Sequence, residues 1–63
     1  MKRRKLLKHV ADLGCIVKEG AKHTRVFNPA KRKWSTVPRH TEIDAVLTRE
    51  ICKQLEVPQP KES

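Results

Sequence analysis

The chain has no tyrosine, and its aromatic side chains are one phenylalanine, Phe27, and one tryptophan, Trp34. With so little large apolar material, Trp34 is assigned to packing a small core ahead of stacking on a ligand. Also missing is any segment long and apolar enough to enter a bilayer, which argues against a membrane partner. The charged opening Met1-Lys2-Arg3-Arg4-Lys5 is not followed by the apolar run of a secretory signal, so a cytoplasmic location is expected. Cys15 and Cys52 are far apart, neither has a CxxC partner, and the three histidines are scattered. A zinc site is therefore not expected, and the cysteines read as two reduced thiols in apolar patches. Acidic residues are scarce as well. Seven Asp and Glu stand against fifteen Lys and Arg, a net charge of +8, which points to a polyanionic partner, nucleic acid before acidic protein.

Sixty-three residues make one small domain. A chain of this size buries only about 60% of its unfolded surface, so the core is thin and a deep pocket is not expected. The working surface should be an open sheet face or a groove between elements.

Residues 2–13 carry Leu6, Leu7, Val10 and Leu13 on one stripe at helical spacing, and Gly14 follows where a glycine can end a helix. His9 borders that stripe and reads as structural. Cys15–Glu19 is short and β-branched, a first strand. Gly20-Ala21-Lys22 supplies a turn, with Gly20 available for a positive φ. His23–Asn28 is a second strand, with His23, Arg25 and Phe27 on one face and Thr24, Val26 and Asn28 on the other. Either Phe27 lies exposed near His23 or a bulge re-aims it. Pro29 ends the ladder, Lys31-Arg32-Lys33 forms a basic loop, and Trp34–Val37 is a third strand stopped by Pro38. The pattern then places Thr41 as the cap of a second helix from Glu42 to about Leu55. Its ridge is Ile43, Leu47, Ile51 and Leu55, flanked by Val46. Residues 1–57 form the domain, and the Pro-containing residues 58–63 read as a tail without order.

Three strands and two amphipathic helices in so short a chain imply an α+β fold. The expected layout is helix, three-stranded antiparallel sheet, helix, with both helices on one face, as in a double-stranded RNA-binding domain.

The stretch from Glu19 to Arg25 carries the chemistry. His23 follows a tight turn, and an imidazole, with its ordinary pKa of about 6.5, can take or give a proton near neutrality. Lys22 and Arg25 flank it and can hold a phosphate. This is a minimal kit for cutting RNA, although spacing alone leaves an ordinary exposed hairpin histidine equally open. Lys2, Arg3 and Arg4, and the loop Lys31, Arg32 and Lys33, are candidates for phosphate contacts that read no sequence. His40, after Val37-Pro38-Arg39, reads as part of a helix lead-in.

Leu13-Gly14, Gly20-Ala21-Lys22-His23, Val37-Pro38-Arg39-His40, Glu42-Ile43 and Ile51-Cys52-Lys53-Gln54-Leu55 occur in one order with characteristic gaps. Together they resemble the HicA toxins of HicAB toxin–antitoxin pairs, over residues 2–58. The resemblance implies a double-stranded RNA-binding-like fold and an mRNA interferase that uses no metal or other cofactor. It maps the family's active histidine onto His23 and implies a HicB-like antitoxin that covers it. The toxin alone is expected to be a monomer. Three positions depart from the family's habit: Ala21 stands where Gly or Ser is usual, Val46 where Gly or Pro is common, and Glu56 where a terminal glycine is common. The rival reading is a basic RNA-binding module without catalysis. A DNA-binding regulator fits less well, because no turn joins two helices in helix-turn-helix fashion.

Overall fold

A computed structural model describes residues 1–60 of the chain. The elements are α1 (Arg3–Asp12), β1 (Ile16–Glu19), β2 (Thr24–Asn28), β3 (Lys33–Val37) and α2 (Ala45–Leu55). The strands form an antiparallel sheet in the order β1-β2-β3. Both helices lie on one face of it, α1 against β1 and α2 against β3 and β2. This is the expected α+β, double-stranded RNA-binding-like layout, and its other sheet face is open.

α1 ends at Gly14, whose φ is 95°. The N–H of Gly14 donates to Ala11 at 3.0 Å and that of Cys15 to Val10 at 3.0 Å, which closes the helix and reverses the chain into β1. Because of that reversal, Leu13 is turned outward, 42% exposed, contrary to its place on the apolar stripe. Cys15 takes its place in the core. α2 closes with the same pair of bonds, Glu56 to Lys53 and Val57 to Cys52. There the left-handed residue is Glu56, at φ 56°.

α2 starts three residues later than the sequence pattern suggests. Residues 41–43 are extended and paired with the chain's first residues: Arg3 N–H donates to Thr41 at 2.9 Å and Ile43 N–H to Met1 at 2.8 Å. A segment held in that bridge cannot coil. The cap is therefore Asp44, not Thr41; its carboxylate accepts from the N–H of Leu47 at 2.7 Å. The buried stripe of α2 is Thr48, Ile51, Cys52 and Leu55, while Val46 faces solvent.

The core comprises Leu6, Val10, Cys15, Val26, Val37, Ile43, Ile51, Cys52 and Leu55. A fully buried Leu or Ile of this kind contributes about 1.5–3 kcal/mol relative to leaving it exposed. The polar groups beneath the sheet are matched. Asn28 Nδ2 donates to the Leu55 carbonyl at 2.7 Å, joining β2 to the end of α2, and Ser35 donates to Gln54 at 2.6 Å. Among the described residues no buried side-chain polar atom lacks a partner. His9 Nε2 lies 2.8 Å from the Pro58 carbonyl; since a carbonyl only accepts, that nitrogen carries the hydrogen and His9 is structural. The rest of the expected tail, residues 61–63, falls outside the described residues.

Trp34 departs from its assignment. It is 55% exposed on the open face of the sheet. The reason is strand alternation: Ser35 and Val37 point inward, so Trp34 and Thr36 point out. Phe27 is on the same face, in regular pairing with Ile16 and Trp34 and with no bulge.

Candidate functional site

Glu19 and Thr24 are the last pair of the β1–β2 ladder, and Gly20–His23 connect them. The N–H of Gly20 donates to the carbonyl of His23 at 2.9 Å. A Cβ on Gly20 would sit 2.7 Å from that same oxygen, inside contact distance. Gly20 is required by this close approach and not by a left-handed φ, which corrects the sequence expectation. The tip is Ala21-Lys22. His23 belongs to the turn, with β2 beginning one residue later than expected; its ring is exposed and has no hydrogen-bond partner among the described residues.

What holds the turn is a carboxylate hub that sequence reasoning missed. Thr24, fully buried, donates through Oγ1 to Glu19 Oε1 at 2.7 Å. Arg3 reaches in from the start of α1. Its Nε donates to the Pro38 carbonyl at 3.1 Å, and its Nη2 donates to Thr24 Oγ1 and lies 3.4 Å from Glu19 Oε2. Arg39, after β3, donates to the Gly20 carbonyl and lies 3.5 Å from Glu19 Oε1. The Thr24 hydroxyl, and then the Arg3 and Arg39 guanidiniums, hold the Glu19 carboxyl below its ordinary value of 4.5. Three separate parts of the chain thus fix the base of the turn. A signal for Thr24 was present in the alternation of β2, and Arg39 lies in the quoted Val37-Pro38-Arg39-His40 stretch. Pairing them with Glu19 requires the register Thr24 to Val37.

Lys22 and Arg25 line one cleft with His23. A cleft of about 460 Å³ is lined by Lys18, Glu19, Gly20, Ala21, Lys22, His23 and Arg25. Lys18, opposite Arg25 across the β1–β2 ladder, is a third cation that the sequence did not single out. A second cleft of about 360 Å³ is lined by Lys2, Arg3, Arg4, Arg39 and Thr41. Its members differ in freedom. Lys2 is paired with Glu42 at 2.6 Å and Arg3 is engaged in the hub, whereas Arg4 is exposed. Lys31, Arg32 and Lys33 lie at the opposite end of the sheet, roughly 17 Å along β2 from His23 by strand rise. The fold does not bring them to the histidine. His40 is exposed, between Arg39, which bonds to Gly20, and Thr41, which accepts from the Arg3 N–H.

The arrangement offers one exposed imidazole on a braced turn, in a cleft that it shares with Lys18, Lys22 and Arg25. It suits proton transfer on an extended anionic ligand. The thiols do not compete for a chemical role: both are buried, and loss of solvent pushes Cys15 and Cys52 upward. Among the described residues no group of three or more His, Cys, Asp or Glu is placed to hold a metal ion, and no helix is long and apolar enough to cross a membrane.

A family profile described as HicA toxin of bacterial toxin-antitoxin matches residues 3–57. No curated protein and no solved structure matches the chain.

Proposed function

The chain belongs to the HicA toxin family, and from that premise we propose that it is an mRNA endoribonuclease, the toxin of a type II toxin–antitoxin pair. In this reading a single mRNA strand lies across the His23 turn. Neutral His23 takes the proton from a ribose 2′-hydroxyl, whose oxygen attacks the adjoining phosphorus. Lys22 and Arg25, with Lys18 across the ladder, hold the negative charge that builds on the phosphate. The bond to the leaving 5′-oxygen breaks, and solvent, abundant at so open a site, supplies that oxygen's proton. No metal or other cofactor takes part. With one imidazole in the cleft the enzyme is modest, since general acid–base help of this kind is worth roughly 10²–10⁴-fold.

The observation that carries the proposal is the exposed, unpartnered ring of His23 on a turn fixed by Arg3, Thr24, Glu19 and Arg39. A ring in ordinary hairpin surroundings needs no such bracing. His23→Ala is expected to fold normally by circular dichroism, because the ring is exposed and outside the core. It should lose about 10²–10⁴-fold in cleavage of purified RNA in the presence of chelator and no longer arrest growth when expressed. Growth arrest at full strength would overturn the assignment.

Neutralisation is proposed to come from a HicB-like antitoxin that covers His23. A +8 toxin gains association rate from an acidic partner surface, and the turn residues Gly20–His23 are exposed. We place the toxin in the cytoplasm as a monomer when free. The exposed aromatic pair Phe27 and Trp34 favours a second reading, RNA binding without cleavage. Metal-free cutting that depends on His23 decides against it.

A further inference from the structure

Ile16, Phe27 and Trp34 lie side by side across the three strands, on the face that neither helix covers. They are 47%, 38% and 55% exposed. In a chain with two aromatic side chains and a thin core, both aromatics stand outside that core. With Lys18 and Arg25 the three line a shallow cleft of about 430 Å³. The Arg25 guanidinium sits over the Trp34 ring, 5.0 Å from its centroid. The next row along the sheet is Lys18, Arg25 and Thr36. None of these six outward side chains is acidic. Lys18 and Arg25 also line the His23 cleft, so the two clefts share their cations.

We propose that this row is a stacking platform for a nucleobase of single-stranded RNA, set beside the Lys18 and Arg25 cations that hold the cut phosphate at the His23 turn. The inference rests on the RNA-cutting reading of the His23 cleft and extends it to how the strand is held. Charge selects the occupant: a ligand here meets cations and aromatic faces side by side, which a nucleic acid strand matches with phosphates and bases. An indole already carrying a guanidinium on its ring is a surface on which any base can lie, whatever its identity. Duplex RNA keeps its bases stacked internally and has none to offer, so the platform selects single strands. Phe27 is four residues along the strand from His23, roughly 13 Å. The stacked base is therefore not the one at the cut phosphate but one farther along. Beyond it lies the turn that carries Lys31 and Arg32, with Lys33 at the start of β3, which gives the distant basic residues a place on the same track.

Trp34 is the chain's one tryptophan, so its fluorescence reports on this site alone. The His23→Ala protein, which leaves RNA uncut, is titrated with a single-stranded oligoribonucleotide, a duplex of the same length, and an abasic sugar–phosphate oligomer. The single strand should quench the indole, and the abasic oligomer should bind without quenching. Trp34→Ala should weaken single-strand binding by about 5- to 150-fold, Trp34→Phe much less, and neither should change binding of the abasic oligomer. Trp34 is exposed, so both variants are expected to fold, which circular dichroism checks. Unchanged RNA affinity in Trp34→Ala, or quenching by the abasic oligomer equal to that by RNA, overturns the platform while the cleavage reading stands. Loss of antitoxin capture in Trp34→Ala with RNA binding intact overturns it in favour of a protein-docking face. Failure of the unsubstituted platform to bind any RNA overturns both readings.

Discussion

The two hairpin connections of this sheet are each four residues long, yet they are built in opposite ways. The first, Gly20–His23, has no residue in the left-handed region and is braced from outside by Arg3 and Arg39 through Glu19 and Thr24. The second, residues 29–32, is organised from within. Asn28 accepts from Lys31 through its carbonyl at 3.3 Å and from Ala30 through its side chain at 3.2 Å. Pro29 is pre-set for the turn's second position, and Arg32 takes a left-handed φ of 55° to rejoin the sheet. This turn takes its shape from its own backbone, with Asn28 also tied to the Leu55 carbonyl, and it presents a plain basic tip. A turn that presents a reactive side chain in one position draws its shape from distant elements instead. The difference predicts that the His23 turn is sensitive to changes far away in sequence, and the basic turn chiefly to its own residues and its anchor at the end of α2.

The strongest way to break that comparison is Gly20→Ala. The new Cβ meets the His23 carbonyl at 2.7 Å, so backbone must move. The expected loss is about 1–3 kcal/mol of stability in urea unfolding, with a fall in RNA cleavage as His23 is displaced. Unchanged stability and activity would show that the turn is not held as tightly as its bonds indicate.

Next comes Glu19→Gln, which keeps the shape of the hub and removes its charge. The Glu19 carboxyl is held below 4.5 when folded. Its stabilisation is therefore fully present above that pH and is lost as pH falls through the lower folded value. The variant should melt below the native protein at neutral pH, and the two melting curves should converge on acidification below 4.5. A gap that stays constant with pH would mean that the carboxylate charge does not hold the turn.

The smallest effect is expected at the other connection. Arg32→Gly relieves a left-handed residue and should stabilise the chain by up to about 1 kcal/mol. It also removes one phosphate contact, lowering the salt dependence of RNA binding by about one unit of slope. His23-dependent cleavage of a short oligonucleotide should barely change. If it falls as steeply as in Gly20→Ala, the two turns are not independent.

Much of the fold was legible because it depends on local rules. The 3.6-residue stripe marked α1 and the end of α2, Gly14 marked a helix stop, and alternation assigned both faces of β2 correctly. The same alternation, applied to Trp34-Ser35-Thr36-Val37, would have put Trp34 outside; a preference for burying the largest side chain overrode it. The start of α2 was not legible. Thr41 is a good cap by type, but the bridge between Lys2 and Glu42 joins residues at opposite ends of the chain and keeps that segment extended. The hub was hidden for the same reason, since Arg3, the Glu19–Thr24 pair and Arg39 come from three separate parts of the chain.

By itself the sequence determined the charge, the element order, the histidine after a glycine-bearing turn, and the shared strand face of Arg25 and Phe27. These follow from composition and from backbone periods of 3.6 and 2, which act between near neighbours. Only the tertiary structure decided that His23 stands on a turn clamped by two arginines, that Lys18 joins its cleft, and that an aromatic row lies beside it. Those facts depend on the register between strands and on where the helix ends meet the sheet. Such long-range pairings are set by burial of the whole core, and no local pattern carries them.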